Sequence, residues 1–372
     1  MTYEARGAVR TPWRENRLGL DYRREAQRLG PPPAPIIDAH SHIHGLDAAR
    51  VYLDAREAFG VSTTYTMSSL DEAEGLRDLC GESIRFIAVP EFMAQDRLHA
   101  QTAGFLDAIE RFHALGSRIV KFWTAPRGRD YGAEVGDPAL MSLDHPWRVR
   151  AMERAHQLGM MFMVHVADPD TWFRTKYADA TVYGDKPSQY EPLERAIARY
   201  PDTPWLLAHL GGWPENLDFL DALLDRHERV HLDTSATKWI VRELSAHPTG
   251  RVRAFFDRWR GRLLFGSDIV TLDAHLAPAE DPALIKAQQA SNPDEAFELY
   301  ASRYWALRTL FETGYDGESP IADSDLALVD PDRYTEDDAP RLRGLGLPRE
   351  TLADLYRNAA AGLLEAWARE HP

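Results

Sequence analysis

The sequence lacks three features that would indicate a secreted, membrane-bound or nucleic-acid-binding protein. It has one cysteine, Cys80, among 372 residues, so it cannot form an internal disulfide, and this is typical of a reducing compartment. No apolar run approaches the length of a membrane span, and the first residues lack the apolar stretch of a secretory signal. Net positive charge is absent, because 58 acidic residues outnumber 43 basic ones and give a formal net charge of -15. These absences predict a cytoplasmic protein with no nucleic-acid or membrane partner.

One short stretch near the start carries a row of ionisable side chains. After the apolar pair at 36–37, every second position is ionisable: Asp38, His40, His42 and His44. Alternate residues of a β-strand share a face, so these side chains are expected to point the same way. Imidazoles beside a carboxylate suit an apolar core poorly, but they are common ligands of divalent cations. The row therefore predicts part of a metal site.

Short apolar runs alternate with amphipathic segments along most of the chain. Eight runs have the length and composition of strands, at 36–39, 61–67, 84–89, 118–123, 160–166, 204–209, 230–235 and 262–268. Repeated strand–helix units with right-handed crossovers form a parallel sheet, and eight such strands are the number in a closed barrel. The sequence therefore predicts an α/β fold, a (β/α)8 TIM barrel with an N-terminal extension and a helical insertion after strand eight.

The two added segments depart from the strand–helix pattern. Residues 1–35 are rich in arginine and end in a proline run, so we expect an N-terminal extension that packs on the domain or on a second subunit. Residues 36–372 are expected to form one metal-dependent hydrolase domain, with the insertion at about 271–346. Asn292 followed by Pro293 predicts the start of a helix there. The insertion lies on the active-site face of a barrel and should cover the pocket, and both segments offer surfaces for a homodimer.

Ionisable residues near the carboxyl ends of several predicted strands form a set. They are His40 and His42 on strand one, Lys121 on strand four, His165 on strand five, His209 on strand six and Asp268 on strand eight. Barrel closure brings these ends to one mouth. A single strand histidine is more often a hydrogen-bonded core residue than a ligand. A His-x-His joined by His or Asp on further strands favours a metal.

Several of these stretches resemble the amidohydrolase superfamily, and more closely its branch of lactone hydrolases and amino-carboxymuconate-semialdehyde-type decarboxylases. The similar stretches are Asp-Ala-His-Ser-His at 38–42, His-Val-Ala-Asp-Pro at 165–169, Ala-His-Leu-Gly-Gly at 208–212, Leu-Phe-Gly-Ser-Asp at 264–268 and Leu-Tyr-Arg-Asn-Ala-Ala at 355–360. The resemblance covers residues 36 to about 270 and 345 to 370. These motifs are specific for the superfamily and leave the substrate open.

The resemblance implies a role for each residue at the mouth of the barrel. It implies that His40, His42, His165 and Asp268 hold one divalent ion, most readily Zn²⁺ with Mn²⁺ as the alternative. His209 would lie beside the reacting group without binding the metal. Lys121 leaves a second ion open, because a carboxylated lysine on strand four bridges two metals in binuclear members. We favour one ion, in which case the Lys121 ammonium would contact an acidic substrate or a neighbouring carboxylate.

These roles predict a metal-dependent hydrolase that acts on a lactone, ester or amide bond. A bound divalent ion lowers the pKa of water from about 15.7 towards 7, and Asp268 is placed to take the proton. His209 would polarise the substrate carbonyl or stabilise the developing oxyanion. The alternative is a decarboxylase (a lyase) of an aromatic or unsaturated acid on the same site. The Phe-Gly-Ser-Asp-Ile stretch at 265–269 is more similar to the hydrolases.

The substrate is expected to be a small molecule with a carboxylate. Candidate substrate-binding residues follow the strands on the same face: His44, Lys121, Trp123, Arg127, Arg129, Trp172 and Trp213. For each of them a packing or surface role is at least as frequent as a binding role. His44 is placed in the loop after strand one, because Asp38 two residues before His40 favours His40 and His42 as the ligand pair.

Overall fold

The computed structural model describes residues 12–279 and 289–372, and the strands follow one another in the predicted order. The parallel strands are β1 (Ile36–Ile43), β2 (Val61–Thr66), β3 (Ile84–Phe86), β4 (Ile119–Trp123), β5 (Met161–His165), β6 (Trp205–Leu207), β7 (Val230–Asp233), β8 (Leu263–Leu264) and β9 (Ile269–Thr271). The eighth strand of the barrel is split into two segments, β8 and β9. The β8 segment pairs with β7, and the β9 segment pairs with β1.

Hydrogen bonds close these strands into a barrel. The strand orders are β3-β2-β1-β9 and β4-β5-β6-β7-β8, and all their pairings are parallel. At one seam, Lys121 N donates to Ala88 O at 2.8 Å. At the other seam, Ala39 N donates to Phe265 O and Asp268 N donates to His40 O, both at 2.9 Å. The predicted (β/α)8 barrel is confirmed, and closure brings the carboxyl ends of all strands to one mouth.

Helices cover the outside of the barrel and build the added segments. Within the described ranges the α-helices are Tyr22–Leu29, Leu46–Ala58, Leu70–Cys80, Arg97–Gln101, Ala103–Ala114, Gly128–Ala133, Pro146–Gln157, Asp170–Arg174, Ala180–Tyr183, Tyr190–Arg199, Leu217–Arg226, Thr237–Ala246, Thr249–Arg258, Pro293–Glu312, Asp325–Val329, Arg349–Ala353 and Ala366–Glu370. Short 3₁₀ turns lie at Gly81–Ser83, Pro187–Gln189 and Asp273–Leu276, and π-helical turns at Asp354–Asn358 and Ala361–Glu365. None of the helices described is both long enough and apolar enough to cross a membrane.

The described part of the N-terminal extension packs on the insertion. Trp13 Nε1 donates to Glu298 Oε2 at 2.8 Å, and Asn16 Nδ2 donates to the same oxygen at 2.9 Å. The Tyr22–Leu29 helix begins after Asp21, whose side chain accepts hydrogen bonds from the first-turn backbone. These contacts join the described part of the extension to the insertion, and a contact with a second subunit stays a prediction.

The insertion contributes one long helix to the core. Pro293–Glu312 begins after Asn292 as predicted, and the Asn292 side chain accepts a hydrogen bond from Glu295 N at 3.0 Å. Every residue from 296 to 311 is buried, so this helix belongs to the core. A two-stranded antiparallel ribbon follows it, formed by β10 (Asp316–Glu318) and β11 (Arg341–Arg343). The helix is therefore packed within the domain and is not a surface addition to it.

Candidate active site

Three predicted ligands converge at the mouth of the barrel. His40 and His42 lie near the carboxyl end of β1, and Asp268 lies between β8 and β9. Asp268 Oδ1 is 3.3 Å from Nε2 of His40 and 3.3 Å from Nε2 of His42. One ligand atom from each of the three residues lies within 4.8 Å of the others. The structure therefore assembles a facing His-His-Asp group from the first and last strands.

The electrostatics of this group suit a divalent cation. Burial lowers the pKa of His42 to about 4, which keeps its imidazole neutral at pH 7. Burial alone would raise the pKa of Asp268, but its hydrogen bond to His42 and the neighbouring histidines hold it well below its usual range. Neutral imidazoles and one carboxylate form a donor set that Zn²⁺ and Mn²⁺ accept. These residues therefore fit the divalent ion that the sequence predicts.

Asp233 and Ser235, which were not predicted from the sequence, contact His40 and His209. His40 Nδ1 lies 2.9 Å from Asp233 Oδ2, which leaves Nε2 for an ion. Ser235 Oγ lies 3.0 Å from His40 Nδ1 and 2.8 Å from His209 Nδ1, and it also contacts Asp233 Oδ1. Asp233 and Ser235 lie at alternate positions of the predicted strand seven, and this alternation of polar residues in the sequence could have identified both.

His209 lies in the turn Ala208–Gly211 directly after β6. Its backbone N–H donates to Asp233 Oδ1 at 2.9 Å, and its ring packs edge-on against His165 with 4.5 Å between ring centres. Burial lowers the pKa of His209 well below its usual value, so the imidazole is neutral. His209 also lines the cavity described below, beside Asp268.

Several residues at the mouth of the barrel have a strained, left-handed backbone conformation. Four non-glycine residues of the described chain have left-handed φ angles: His209, Leu210, Ala236 and Asp268. All four follow the ends of β6, β7 and β8. Such a conformation is costly for residues with a Cβ atom and is concentrated at functional sites.

His165 ends β5 as predicted but points at a different partner. Its Nε2 lies 3.0 Å from Asp168 Oδ1, and Asp168 Oδ2 accepts a hydrogen bond from Tyr177 Oη at 2.8 Å. Among the residues described, the converging His-His-Asp group does not include His165. Its place in the ligand set stays a prediction, which requires the ring to exchange Asp168 for the ion. Asp168 belongs to the 165–169 stretch but was not singled out from the sequence.

Lys121 reaches the same group from β4. The Nζ atom of Lys121 lies 3.1 Å from His40 Nε2. Burial lowers the pKa of Lys121 to about 8, although Asp233 and Asp268 favour its charged form. An ammonium that donates to His40 Nε2 occupies the lone pair that a metal would use. This hydrogen bond and a metal on His40 therefore exclude each other. The number of ions stays a prediction.

Asp38 lies two residues before His40 on β1 and is fully buried. It accepts hydrogen bonds from the backbone N–H of His40 and Ser267, at 3.2 and 3.0 Å. The hydroxyls of Ser267 and Tyr304 donate to it at 2.6 and 2.9 Å. Burial raises the pKa of Asp38 to about 7. Its role is to fix the segments that carry His40 and Asp268.

A cavity of about 400 Å³ opens onto this centre. His165, His209 and Asp268 line it together with aromatic, charged and aliphatic residues. The insertion supplies part of these walls, including Tyr300, Arg303 and Asp325, as expected of a segment that covers the pocket. Trp172 also lines the cavity, and its Nε1 donates to Asp325 Oδ2 at 2.8 Å.

The other predicted binding residues lie outside this cavity lining. His44 follows β1, and its Nδ1 lies 2.9 Å from Glu72 Oε2. Trp123 packs edge-on against two aromatic rings, and Trp213 stacks on Tyr190 with 5.8 Å between ring centres. Arg127 and Arg129 lie at the start of the short Gly128–Ala133 helix. The structure therefore brings Trp172 to the cavity and leaves these side chains in packing or loop positions.

Comparison with known proteins identifies the family. A family model described as amidohydrolase matches residues 32–364. The chain belongs to the amidohydrolase family. The resemblance read from the strand-end motifs is confirmed, and the match also spans the insertion, where no similar motif was found. Family membership together with the converging donor group supports a divalent metal in this amidohydrolase.

Solved structures similar to this amidohydrolase are distant. An uncharacterized TIM-barrel protein from Bordetella bronchiseptica is 14% identical, with 94% of this chain and 90% of that chain covered and a TM-score of 0.46. An amidohydrolase from Burkholderia multivorans with bound zinc is 14% identical, with 89% and 99% covered and a TM-score of 0.40. A 5-carboxyvanillate decarboxylase from Sphingomonas paucimobilis is 12% identical, with 89% and 98% covered and a TM-score of 0.41. No curated protein matches the chain.

Proposed function

We propose that this amidohydrolase hydrolyses a lactone, ester or amide bond in a small carboxylate-bearing substrate, with one divalent ion, Zn²⁺ or Mn²⁺, as its cofactor. The observation that carries the proposal is the position of Asp268, whose Oδ1 is 3.3 Å from two imidazole nitrogens while the residue lines the cavity. A carboxylate in this position can contact both an ion and a water molecule beside the substrate.

His40, His42 and Asp268 would hold the ion, with His165 as the predicted fourth ligand. When bound, the ion lowers the pKa of water towards 7 and draws electron density from a carbonyl oxygen. Asp268 is ionised, so it accepts the proton of the attacking water and passes it to the leaving group. Asp233 keeps His40 in the orientation that exposes Nε2.

We propose that His209 is a hydrogen-bond donor to the substrate, as the resemblance implies. Asp233 Oδ1 already accepts the backbone N–H of His209 and of Ser235, at 2.9 and 3.0 Å. The Ser235 hydroxyl contacts both Asp233 Oδ1 and His209 Nδ1, the latter at 2.8 Å, and the donor role requires that this hydroxyl donates to His209 Nδ1. The neutral His209 ring carries its own proton on Nε2 in this arrangement. That N–H can donate to the substrate carbonyl and to the oxyanion that develops from it.

The same residues can serve hydrolysis or decarboxylation, and an assay of the two products separates these reactions. The protein is purified from cells grown with zinc or manganese and is analysed for metal. It is then assayed on a panel of lactones and aromatic acids, with acid release and carbon dioxide release measured separately. We expect about one equivalent of metal and acid release from a lactone. Carbon dioxide release without hydrolysis would replace the proposal with the decarboxylase alternative, and less than half an equivalent of metal would refute both.

A substitution at the centre tests the role of the carboxylate. Asp268→Asn keeps the size of the side chain but cannot accept the water proton, so the hydrolytic rate is expected to fall about 10²- to 10⁴-fold. Asp144→Asn makes the same chemical change on an exposed residue that pairs with Arg195. It should leave the rate unchanged. A rate in Asp268→Asn within threefold of the unmodified protein would contradict the role.

A further inference from the structure

The cavity wall contains a cluster of charges contributed by three separate parts of the chain. Lys238 belongs to the Thr237–Ala246 helix after β7, Arg303 to the insertion helix, and Glu15 to the N-terminal extension. Lys238 and Arg303 line the cavity that opens onto Asp268. We propose that Lys238 and Arg303 form the carboxylate-binding subsite for the substrate and that Glu15 is their positioning residue. The inference rests on the proposed function and assigns its substrate class.

Glu15 forms ion pairs with both Lys238 and Arg303. Its Oε1 lies 3.3 Å from Lys238 Nζ, and its Oε2 lies 2.6 Å from Arg303 Nη1. The Glu15 side chain is 6% exposed, whereas the Lys238 side chain is 34% exposed. The carboxylate is therefore enclosed, while the lysine that it holds remains accessible from the cavity. Removal of the extension would release both cations from this position.

The charge balance of the cluster leaves one positive charge for a ligand. Glu15 supplies a single negative charge to Lys238 and Arg303, so the three residues carry a net charge of about +1. Three other acids of the cavity wall form their ion pairs or hydrogen bonds elsewhere: Asp323 and Asp325 share Arg242, and Asp168 accepts from Tyr177 and contacts His165. Asp323 also attracts Lys238 at longer range. An incoming anion therefore finds its complement at Lys238 and Arg303.

Both cations have donors left for a ligand. In the described ranges, the Lys238 ammonium contacts Glu15 with one of its three N–H groups. The described bonds of Arg303 all come from Nη1, which contacts Glu15, Leu299 O and Ser302 Oγ. Its Nε and Nη2 are the remaining donors of the guanidinium. A carboxylate can accept from such a pair of N–H groups and from the ammonium together.

The rest of the wall indicates what the carboxylate is attached to. Trp172, Trp239 and Tyr300 line the same cavity, which has a volume of about 400 Å³. Aromatic walls of this size favour a flat ring or an unsaturated chain over an extended polymer. The substrate class that fits is an aromatic or unsaturated carboxylate with the reacting bond directed towards Asp268.

Benzoate is a suitable probe because it carries the proposed recognition group without a reacting bond. Binding of benzoate, benzamide and benzylamine to the metal-loaded protein is measured by calorimetry. We expect benzoate to bind about tenfold or more tightly than benzamide, since hydrogen bonds between charged partners are the stronger ones. Lys238→Met should weaken benzoate binding about tenfold. Lys176→Met is the matched control, because Lys176 is exposed, lies over Trp172 and does not line the cavity.

Several results would overturn the inference. Unchanged benzoate affinity in Lys238→Met, or equal losses in Lys238→Met and Lys176→Met, would show that Lys238 does not bind the carboxylate. Tighter binding of benzylamine would show that the acids of the wall select a cation. If Lys238→Met does not fold, Lys238→Gln tests the same loss of charge, and Lys238→Arg should restore affinity. Metal content and lactone hydrolysis, measured separately, show whether the proposed function itself fails.

Discussion

Replacement of Asp38 by asparagine tests how a buried carboxylate shapes the strand that carries the first two ligands. Asp38 Oδ1 accepts two backbone N–H groups, and Oδ2 accepts the hydroxyls of Ser267 and Tyr304. In Asp38→Asn the amide oxygen keeps both N–H bonds. The two hydroxyls can rotate and accept from the new NH₂ group, so every buried polar atom retains a partner.

The magnitude follows from the pKa of Asp38. Burial raises it from 3.8 to about 7, so the folded protein binds this proton more tightly than the unfolded chain does. Stability from this group is therefore present below pH 3.8 and is lost as pH rises through 7. At about 1.36 kcal/mol per pKa unit, the loss above pH 7 is at most about 4 kcal/mol. Asparagine carries no such cost, so Asp38→Asn should be more stable than the unmodified protein at pH 8, by about 1 to 4 kcal/mol.

The assay is urea unfolding of chelator-treated protein at pH 5 and pH 8. Chelation matters because a bound cation would itself lower the pKa of Asp38. Asp38→Ala is the contrasting variant, since it leaves four donors without an acceptor and should lose about 3 kcal/mol or more. Asp144→Asn, on the surface, should change stability by less than about 0.5 kcal/mol.

Destabilisation of Asp38→Asn at pH 8 by more than about 2 kcal/mol would contradict the expected gain in stability, because the two hydroxyls would then be unable to reverse their hydrogen bonds. An equal change in stability between pH 5 and pH 8 in the unmodified protein and in Asp38→Asn would contradict it too. Either result would mean that Asp38 is ionised in the folded state and that the carboxylate is stabilised by its four donors.

The remaining predictions concern the centre itself. His165→Ala should lose metal and activity together, as measured by metal analysis and a lactone assay; retained metal would leave His165 bonded to Asp168 and outside the ligand set. Lys121→Ala should keep its metal if the site holds one ion, whereas loss of the metal would favour two. Ser235→Ala should lower kcat about tenfold with unchanged metal content, because Asp233 still holds His40 while His209 loses its hydrogen-bond donor. An unchanged kcat would remove Ser235 from the mechanism.

The barrel and the core of its centre could be predicted from the sequence because they depend on regular repeats. Alternation along β1 places His40 and His42 on one face, and closure of a parallel barrel brings them to Asp268, more than two hundred residues later. Neither step depends on the details of side-chain packing. The same alternation on β7 would have found Asp233 and Ser235, had it been applied to that strand.

The cavity walls could not be predicted because they depend on contacts between segments with no shared period. Glu15 and Arg303 are single charged residues among many, and only the packing of the extension against the insertion brings them together. Trp213 shows the same dependence on packing. Its position after β6 suggested a substrate contact, but its ring stacks on Tyr190, because packing of neighbouring rings decides where a loop aromatic points.

The left-handed residues at the mouth have a consequence for any attempt to move this site to another protein. Each costs about 1 to 2 kcal/mol relative to ordinary backbone, and the cost is offset by local bonds such as Asp268 N to His40 O and His209 N to Asp233 Oδ1. Side chains grafted onto an unstrained barrel would relax away from one another. The transferable unit is therefore the strained turns with their partners, and a design that copied the histidines and aspartates alone would inherit the residues without the geometry.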